Sequence, residues 1–358
     1  MDKEQQRCVI QQTKKRDSLT TDDIILDPIF LSIFTDILAS LAKSSAPGVY
    51  ETVVKQALPT LCTSIATAKL EESWIAASAI DLISSLIRGA PESGLGDGFF
   101  ALLAPNLFNC IKSAEDRDVL QVRDSRRSRP ASHSQFAQNG VVCLTLIVRR
   151  DCPQILSWHD SSGESGLGHI LKLIAKLLRN EDESGGLVIG DLIIHVLRRA
   201  GDTVLPVLPE LLHAMVERML AAKTATFLQS LVIPFVFLIH NQADTVLGML
   251  ESITVQGRNA LDILIQTWCE NAETFQGFWP TRISILTLSQ LYASGRPTLQ
   301  NLVVKGDIII KPETKNGKWV LAPDYGSSFN ERFLWSCRDS HYDEIPDKDK
   351  CVWFSVIL

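Results

Sequence analysis

Few side chains in this chain are typed and spaced for chemistry. Ser165 lies in GESGL at 163–167, which lacks the closing glycine of a Gly-x-Ser-x-Gly nucleophile elbow and sits in a loop. Gly94, Gly96 and Gly98 in GLGDG do not complete Gly-x-Gly-x-x-Gly and follow no strand, so they read as a turn rather than a phosphate cradle. Cys152 and His159 stand seven residues apart across Pro153. A thiol–imidazole pair is conceivable there, but nothing nearby supplies an oxyanion hole and a surface loop is the expected reading. Trp268, Phe275, Phe278 and Trp279 could line an aromatic pocket; Trp279-Pro280 after Gly277 favours a packed junction between helical units instead. What remains is the acidic triplet Glu181-Asp182-Glu183, in a loop before a helix, which could meet a basic protein. A solvated loop is the plain alternative. No catalytic residue, cofactor or metal ligand is expected.

The bulk composition narrows the setting. With 358 residues, 46% hydrophobic and 21% charged, the chain is too long for one ordinary core, which leaves several domains or one elongated array. A net charge of −6 gives no nucleic-acid footprint. Eight cysteines form no CxxC, and several (Cys62, Cys110, Cys143, Cys269) fall at apolar helical positions where thiols pack as small hydrophobes. No glycosylation sequon occurs and the charged start is no signal peptide, so a reducing compartment, cytosol or nucleus, is expected. The most apolar run, FLQSLVIPFVFLIH at 227–240, covers only twelve residues from Leu228 to Ile239 against the roughly twenty of a membrane span, so no membrane insertion is expected.

The elements that must position these residues are helices. From about residue 27 to 304 apolar residues recur at helical period and two-residue alternation is absent. In Glu71 to Arg88 a narrow polar stripe of Ser78, Asp81, Ser85 and Arg88 leaves the rest apolar, the pattern of a helix sandwiched between neighbours. Thr203 to Ala221 is expected as a helix capped by Asp202 or Thr203, and Thr224 as the cap of the apolar run, with a kink at Pro234.

Repetition decides the architecture. ALPTLCTSI (57–65), LAPNLFNCI (103–111) and VLPELLHAM (207–215) share Pro at the third position, Leu at the fifth and Ile or Met at the ninth. Pro59 and Pro105 are 46 residues apart and Pro105 and Pro209 are 104 apart, or two units of about 44 once a 17-residue insertion at 122–138 is removed. A two-helix period near 40–47 is the signature of HEAT or armadillo repeats. First helices are expected near 50–68, 98–112, 167–179, 203–221 and 244–255. Second helices fall near 71–88, 138–150, 186–200, 224–240 and 257–272, with one more at 278–293. The fold class is all-α: an α-solenoid of about five to seven helical hairpins over 21–311.

On long runs in order, the sequence resembles a family. NGVVCLTLIVRRDC (139–152), GDTVLPVLPELLHAMVERMLAAKTATFLQSLVIPF (201–235) and WCENAETFQGFWPTRISILTLSQLY (268–292) are similar to C-terminal HEAT repeats of importin-β family karyopherins of the importin-nine type. That resemblance implies a transport receptor without catalysis. It implies binding of basic cargo such as histones, with Glu181, Asp182 and Glu183 as candidate contacts. It further implies Ran GTPase acting through N-terminal repeats that this chain lacks, contact with nuclear pore components, and shuttling between cytoplasm and nucleus. A HEAT-repeat scaffold subunit of a multiprotein assembly is the alternative. Two departures stand out. The basic insertion 122–138 splits a continuous LQNG and reads as an unspliced intron, with a disordered loop or a basic localisation signal as alternatives. Residues 1–20 are expected to be disordered, and 312–358 form an irregular, poorly ordered tail unlike the family.

Overall fold

The computed structural model describes residues 28–44, 46–68, 73–121, 132–300, 302, 308–312 and 319–323. The expected disordered segment 1–20, most of the insertion (122–131) and most of the tail (313–318 and 324–358) lie outside the described residues. The fold is all-α, built of stacked helical hairpins as expected of an α-solenoid. The chain divides into two compact units, one ending at Ile170 and the other beginning at Leu171.

In the first unit the helices are α1 (Pro28–Ala42), α2 (Val49–Thr67), α3 (Ser73–Gly89), α4 (Phe99–Gln121) and α5 (Ser132–Ser157). The hairpins α2/α3 and α4/α5 stack so that α2 meets α4 and α3 meets α5, while α1 extends the second row against α3. The expected sandwiching of α3 follows: Ile80, Ile83, Leu86 and Ile87 have no exposed surface. Most of its polar stripe turns inward as well: Ser78 and Ser85 are buried and Asn139 Nδ2 of α5 donates to Asp81 Oδ2 at 3.1 Å, while Arg88 is exposed.

GLGDG makes the turn into α4, with Gly94, Gly96 and Gly98 all at positive φ, which glycine adopts without steric cost. Its donors serve an internal carboxylate. Leu95 N–H donates to Asp151 Oδ2 at 3.2 Å, and Gln154 Nε2 joins Asp151 Oδ2 to the Gly96 carbonyl at 2.7 and 2.8 Å. Asp151 can reach this loop because α5 breaks at that residue (φ −149°, ψ 60°).

The helix α6 (Gly166–Arg179) spans the division between the units. The second unit continues with α7 (Ile189–Arg199), α8 (Leu208–Leu220), α9 (Ala225–Ser252), α10 (Ala260–Asn271), α11 (Phe278–Ala293) and α12 (Pro297–Gln300). Around α9 pack α7, α8, α10 and α11. The expected helix 203–221 starts later than the sequence reading has it. Gly201–Val207 is a 3-10 segment and α8 begins at Leu208, because Pro206 and Pro209 cannot donate to an α-helical ladder. Thr203 Oγ1 donates back to the Ala200 carbonyl instead of capping α8.

Thr224 does cap α9, accepting from Phe227 N–H at 3.4 Å. The expected kink at Pro234 is instead a break at Gln242 (φ −145°, ψ 62°), which separates the helices read near 224–240 and 244–255. By length and composition α9 could cross a bilayer. Phe227, Leu231, Val232, Phe235 and Val236, however, have no exposed surface, so it is a core helix of this unit. After α9, Thr254–Val255 (β1) and Arg258–Asn259 (β2) pair across a Gln256-Gly257 turn with positive φ at both residues. Ile308–Pro312 (β3) pairs antiparallel with Trp319–Pro323 (β4), a hairpin that the helical reading of 21–311 and the irregular tail do not contain.

Candidate functional site

The acidic triplet lies between α6 and α7, and its three members face different surroundings. Glu181 is exposed. Asp182 is partly buried; its N–H donates to Asn180 Oδ1 at 3.0 Å, and its Oδ1 accepts from Ser184 N–H and Oγ at 3.2 and 2.7 Å. Glu183 is 7% exposed and turned inward.

The Glu183 carboxylate accepts from Lys223 N–H at 2.6 Å, Thr224 N–H at 2.8 Å and Thr224 Oγ1 at 2.6 Å, and forms a 3.4 Å ion pair with Arg218 Nη2. Arg218 also donates to the Asn180 carbonyl at 3.2 Å and lies over the Phe227 ring, 4.7 Å from its centroid. One carboxylate thus ties the α6–α7 loop to α8 and to the start of α9. Burial alone would raise its pKa. The bonds from Thr224 and Lys223, with the Arg218 charge, outweigh that and hold it below the ordinary glutamate value. The sequence reading of Glu183 as part of a surface patch is therefore corrected: this side chain is a buried clamp. Glu181 and Asp182 keep solvent access.

The other candidate pairs resolve similarly. Cys152 is buried whereas His159 is exposed, with Nδ1 at 3.1 Å from the Ser157 carbonyl, so the thiol–imidazole pair does not form. Ser165 caps α6: its Oγ accepts from Gly168 N–H at 3.1 Å. Trp268 and Phe275 are buried, Trp268 donating from Nε1 to Ser284 Oγ at 2.7 Å. Phe278 and Trp279 are 67% and 44% exposed, so the expected packed junction holds for only half of that group.

One constellation escaped the sequence reading. His169 Nε2 donates to Asp160 Oδ2 at 2.8 Å, with Glu164 Oε2 at 3.9 Å. The imidazole stacks on Phe108 with centroids 4.9 Å apart and lies 5.8 Å from Trp158. Among the described residues Asp160, Glu164 and His169 could offer ligand atoms to a metal ion. As they stand Asp160 and His169 are bonded to each other. Asp160 Oδ1 accepts from the Ser162 hydroxyl and from the Ser162 and Glu164 N–H groups, and these bonds, the Ser162 hydroxyl foremost, with His169 at Oδ2, hold the carboxyl below the usual carboxylate range. The arrangement fastens the 158–165 loop to α6. The Asp-x3-Glu-x4-His spacing follows no motif that would have singled it out.

No family model matches the chain. Over 290 residues it is 27% identical to Importin subunit beta-5 of Schizosaccharomyces pombe, covering 79% of this chain and 26% of that protein. It is 26% identical over 147 residues to Importin subunit beta-5 of Saccharomyces cerevisiae, 41% of this chain and 15% of that protein. It is 21% identical over 280 residues to Importin-9 of Drosophila melanogaster, 77% of this chain and 25% of that protein. The chain thus spans about a quarter or less of the length of the curated relatives it matches.

Proposed function

This chain is a homologue of importin-β family, importin-9-like proteins, and on that premise we propose that it forms part of a nuclear transport receptor. In this reading it holds basic protein cargo on stacked helical hairpins and performs no chemistry of its own. The observation that carries it is similarity across 79% of the chain to a protein named as an importin subunit, on hairpins of the expected period. The side chains that could suggest an enzyme support the same view, because Ser165, Asp160, His169 and Glu183 are all engaged in holding loops and helix ends.

Cargo affinity would come from shape and from acids spread along the surface, consistent with the net charge of −6. Exposed Glu181, with Asp182 beside it, is a proposed contact; Glu183 is not. Core histones are the proposed cargo class. Ran GTPase would act through repeats that precede this region in the family, and pore components would be met as the receptor moves between cytoplasm and nucleus.

The test is retention of purified core histone dimers by the immobilised full chain, beside an acidic globular protein of similar size. Selective retention of the histones is expected. Equal retention of both, or of neither, contradicts the proposal.

A further inference from the structure

Between α6 and α8 the second unit carries an open groove of about 660 Å³. Its floor is apolar, with Leu171 and Leu178 on one side and Val207, Leu211 and Ala214 on the other. Its rims carry opposite charge. Lys172 and Arg179 line the α6 rim, and Glu210 and Glu217 line the α8 rim; all four are exposed. Within each pair the spacing is seven residues, two helical turns, so each rim repeats its charge along one helix edge.

Leu211 gives the apolar floor its meaning. It is the fifth residue of VLPELLHAM, and the corresponding Leu61 and Leu107 of the first two copies are 7% and 0% exposed. Leu211 is partly exposed, at the groove. A position that the repeat elsewhere keeps in the core is here left where a partner can cover it.

We propose that this groove docks an amphipathic helix of a partner protein, its apolar stripe on the floor, an acidic edge against α6 and a basic edge against α8. Charge complementarity selects this occupant, since an evenly acidic or evenly basic ligand would meet like charge on one rim. The walls favour a helix over an extended peptide, because helical walls offer no unpaired sheet edge for an added strand. From Val207 to Ala221, α8 with one flanking residue at each end, the wall is about 21 Å long, room for roughly four turns. The site rests on the groove itself and is separate from the proposed basic cargo.

The test titrates the full chain with three fluorescent Leu/Ala-striped helical peptides of roughly eighteen residues. One carries Glu on one edge and Lys on the other, one carries Glu on both, and one carries Lys on both. The mixed peptide is expected to bind about tenfold more tightly than either uniform one, a difference of about 1.4 kcal/mol. The exposed double variant E210K/E217K should shift the preference to the all-Glu peptide, and Ala214→Trp, which fills the floor, should weaken all three. Binding of none, equal binding of all three, or an unchanged preference in the double variant would overturn the proposal. So would self-association of the chain that Ala214→Trp abolishes, which would assign the groove to a second copy.

Discussion

Gly190 of α7 lies directly against the main-chain carbonyl of Ser230 in α9, where a β-carbon at residue 190 would overlap the carbonyl oxygen. Pro234 stands four residues beyond Ser230 and has no N–H to donate to that carbonyl. The side chain of Ser230 reinforces the contact: Oγ donates to the Gly186 carbonyl at 3.3 Å and to the Phe227 carbonyl at 2.7 Å. The proline in the apolar run therefore sits at a close crossing of two helices, not at a bend.

A methyl group at this crossing should force the two backbones apart. Gly190→Ala is expected to destabilise the chain by about 1–3 kcal/mol, the usual cost of overpacking. Gly248, also in α9, has nothing within 4 Å of a built β-carbon, so Gly248→Ala should gain about 0.5–1 kcal/mol from helix propensity. Chemical denaturation of both variants checks this; similar shifts for the two would contradict the packing described.

Glu183→Gln leaves Arg218 without its buried counter-charge and sets an amide N–H2 among donors, so a loss of about 3–5 kcal/mol is expected. Glu181→Gln, at an exposed position, should stay within about 0.5 kcal/mol of the parent. The pH dependence follows from the depressed pKa of Glu183. A carboxyl lower in the folded than in the unfolded chain contributes stability fully present above the unfolded value of about 4.3, and loses it as pH falls through the folded value. The gap between parent and Glu183→Gln, measured by denaturation at several pH values, should be constant near neutrality and narrow below about pH 4. A gap that widens in acid would contradict the clamp.

Burial raises the Cys62 thiol to about 11 and the Cys143 thiol to about 12, so both stay protonated as well as covered near neutral pH. Maleimide labelling of the native chain followed by mass spectrometry should leave both unmodified, with modification only after denaturation. Cys110 is only partly buried and should label first of the five cysteines in the described residues. Native labelling of Cys143 would contradict the stacking of α3 on α5.

The helices and their pairing were legible because a sandwiched helix repeats its apolar residues at 3.6, and because the Pro-x-Leu pattern of 59–61 returns after one unit at 105–107 and, with the insertion set aside, after two more at 209–211. The breaks at Asp151 and Gln242 were partly legible, as ends of expected helices, but the reason for the first lies in a glycine loop 56 residues away in sequence, at Leu95. Glu183 was misplaced for the same cause. Its partners Lys223 and Thr224 are 40 and 41 residues distant, and an acidic triplet in a loop looks solvated until those contacts are known. The Asp160–His169 pair was hidden by its lack of any regular spacing. Local periodicity reports what faces a neighbour; it is silent on which distant donor a single carboxylate meets.

Carriage of basic cargo is decided by the affinity of the full chain for core histone dimers across a series of salt concentrations. Binding should be measurable and should weaken steadily as salt screens the surface acids, with Glu181→Lys weakening it further at low salt while leaving stability unchanged. Absence of binding at low salt, or an affinity indifferent to salt, would contradict such carriage.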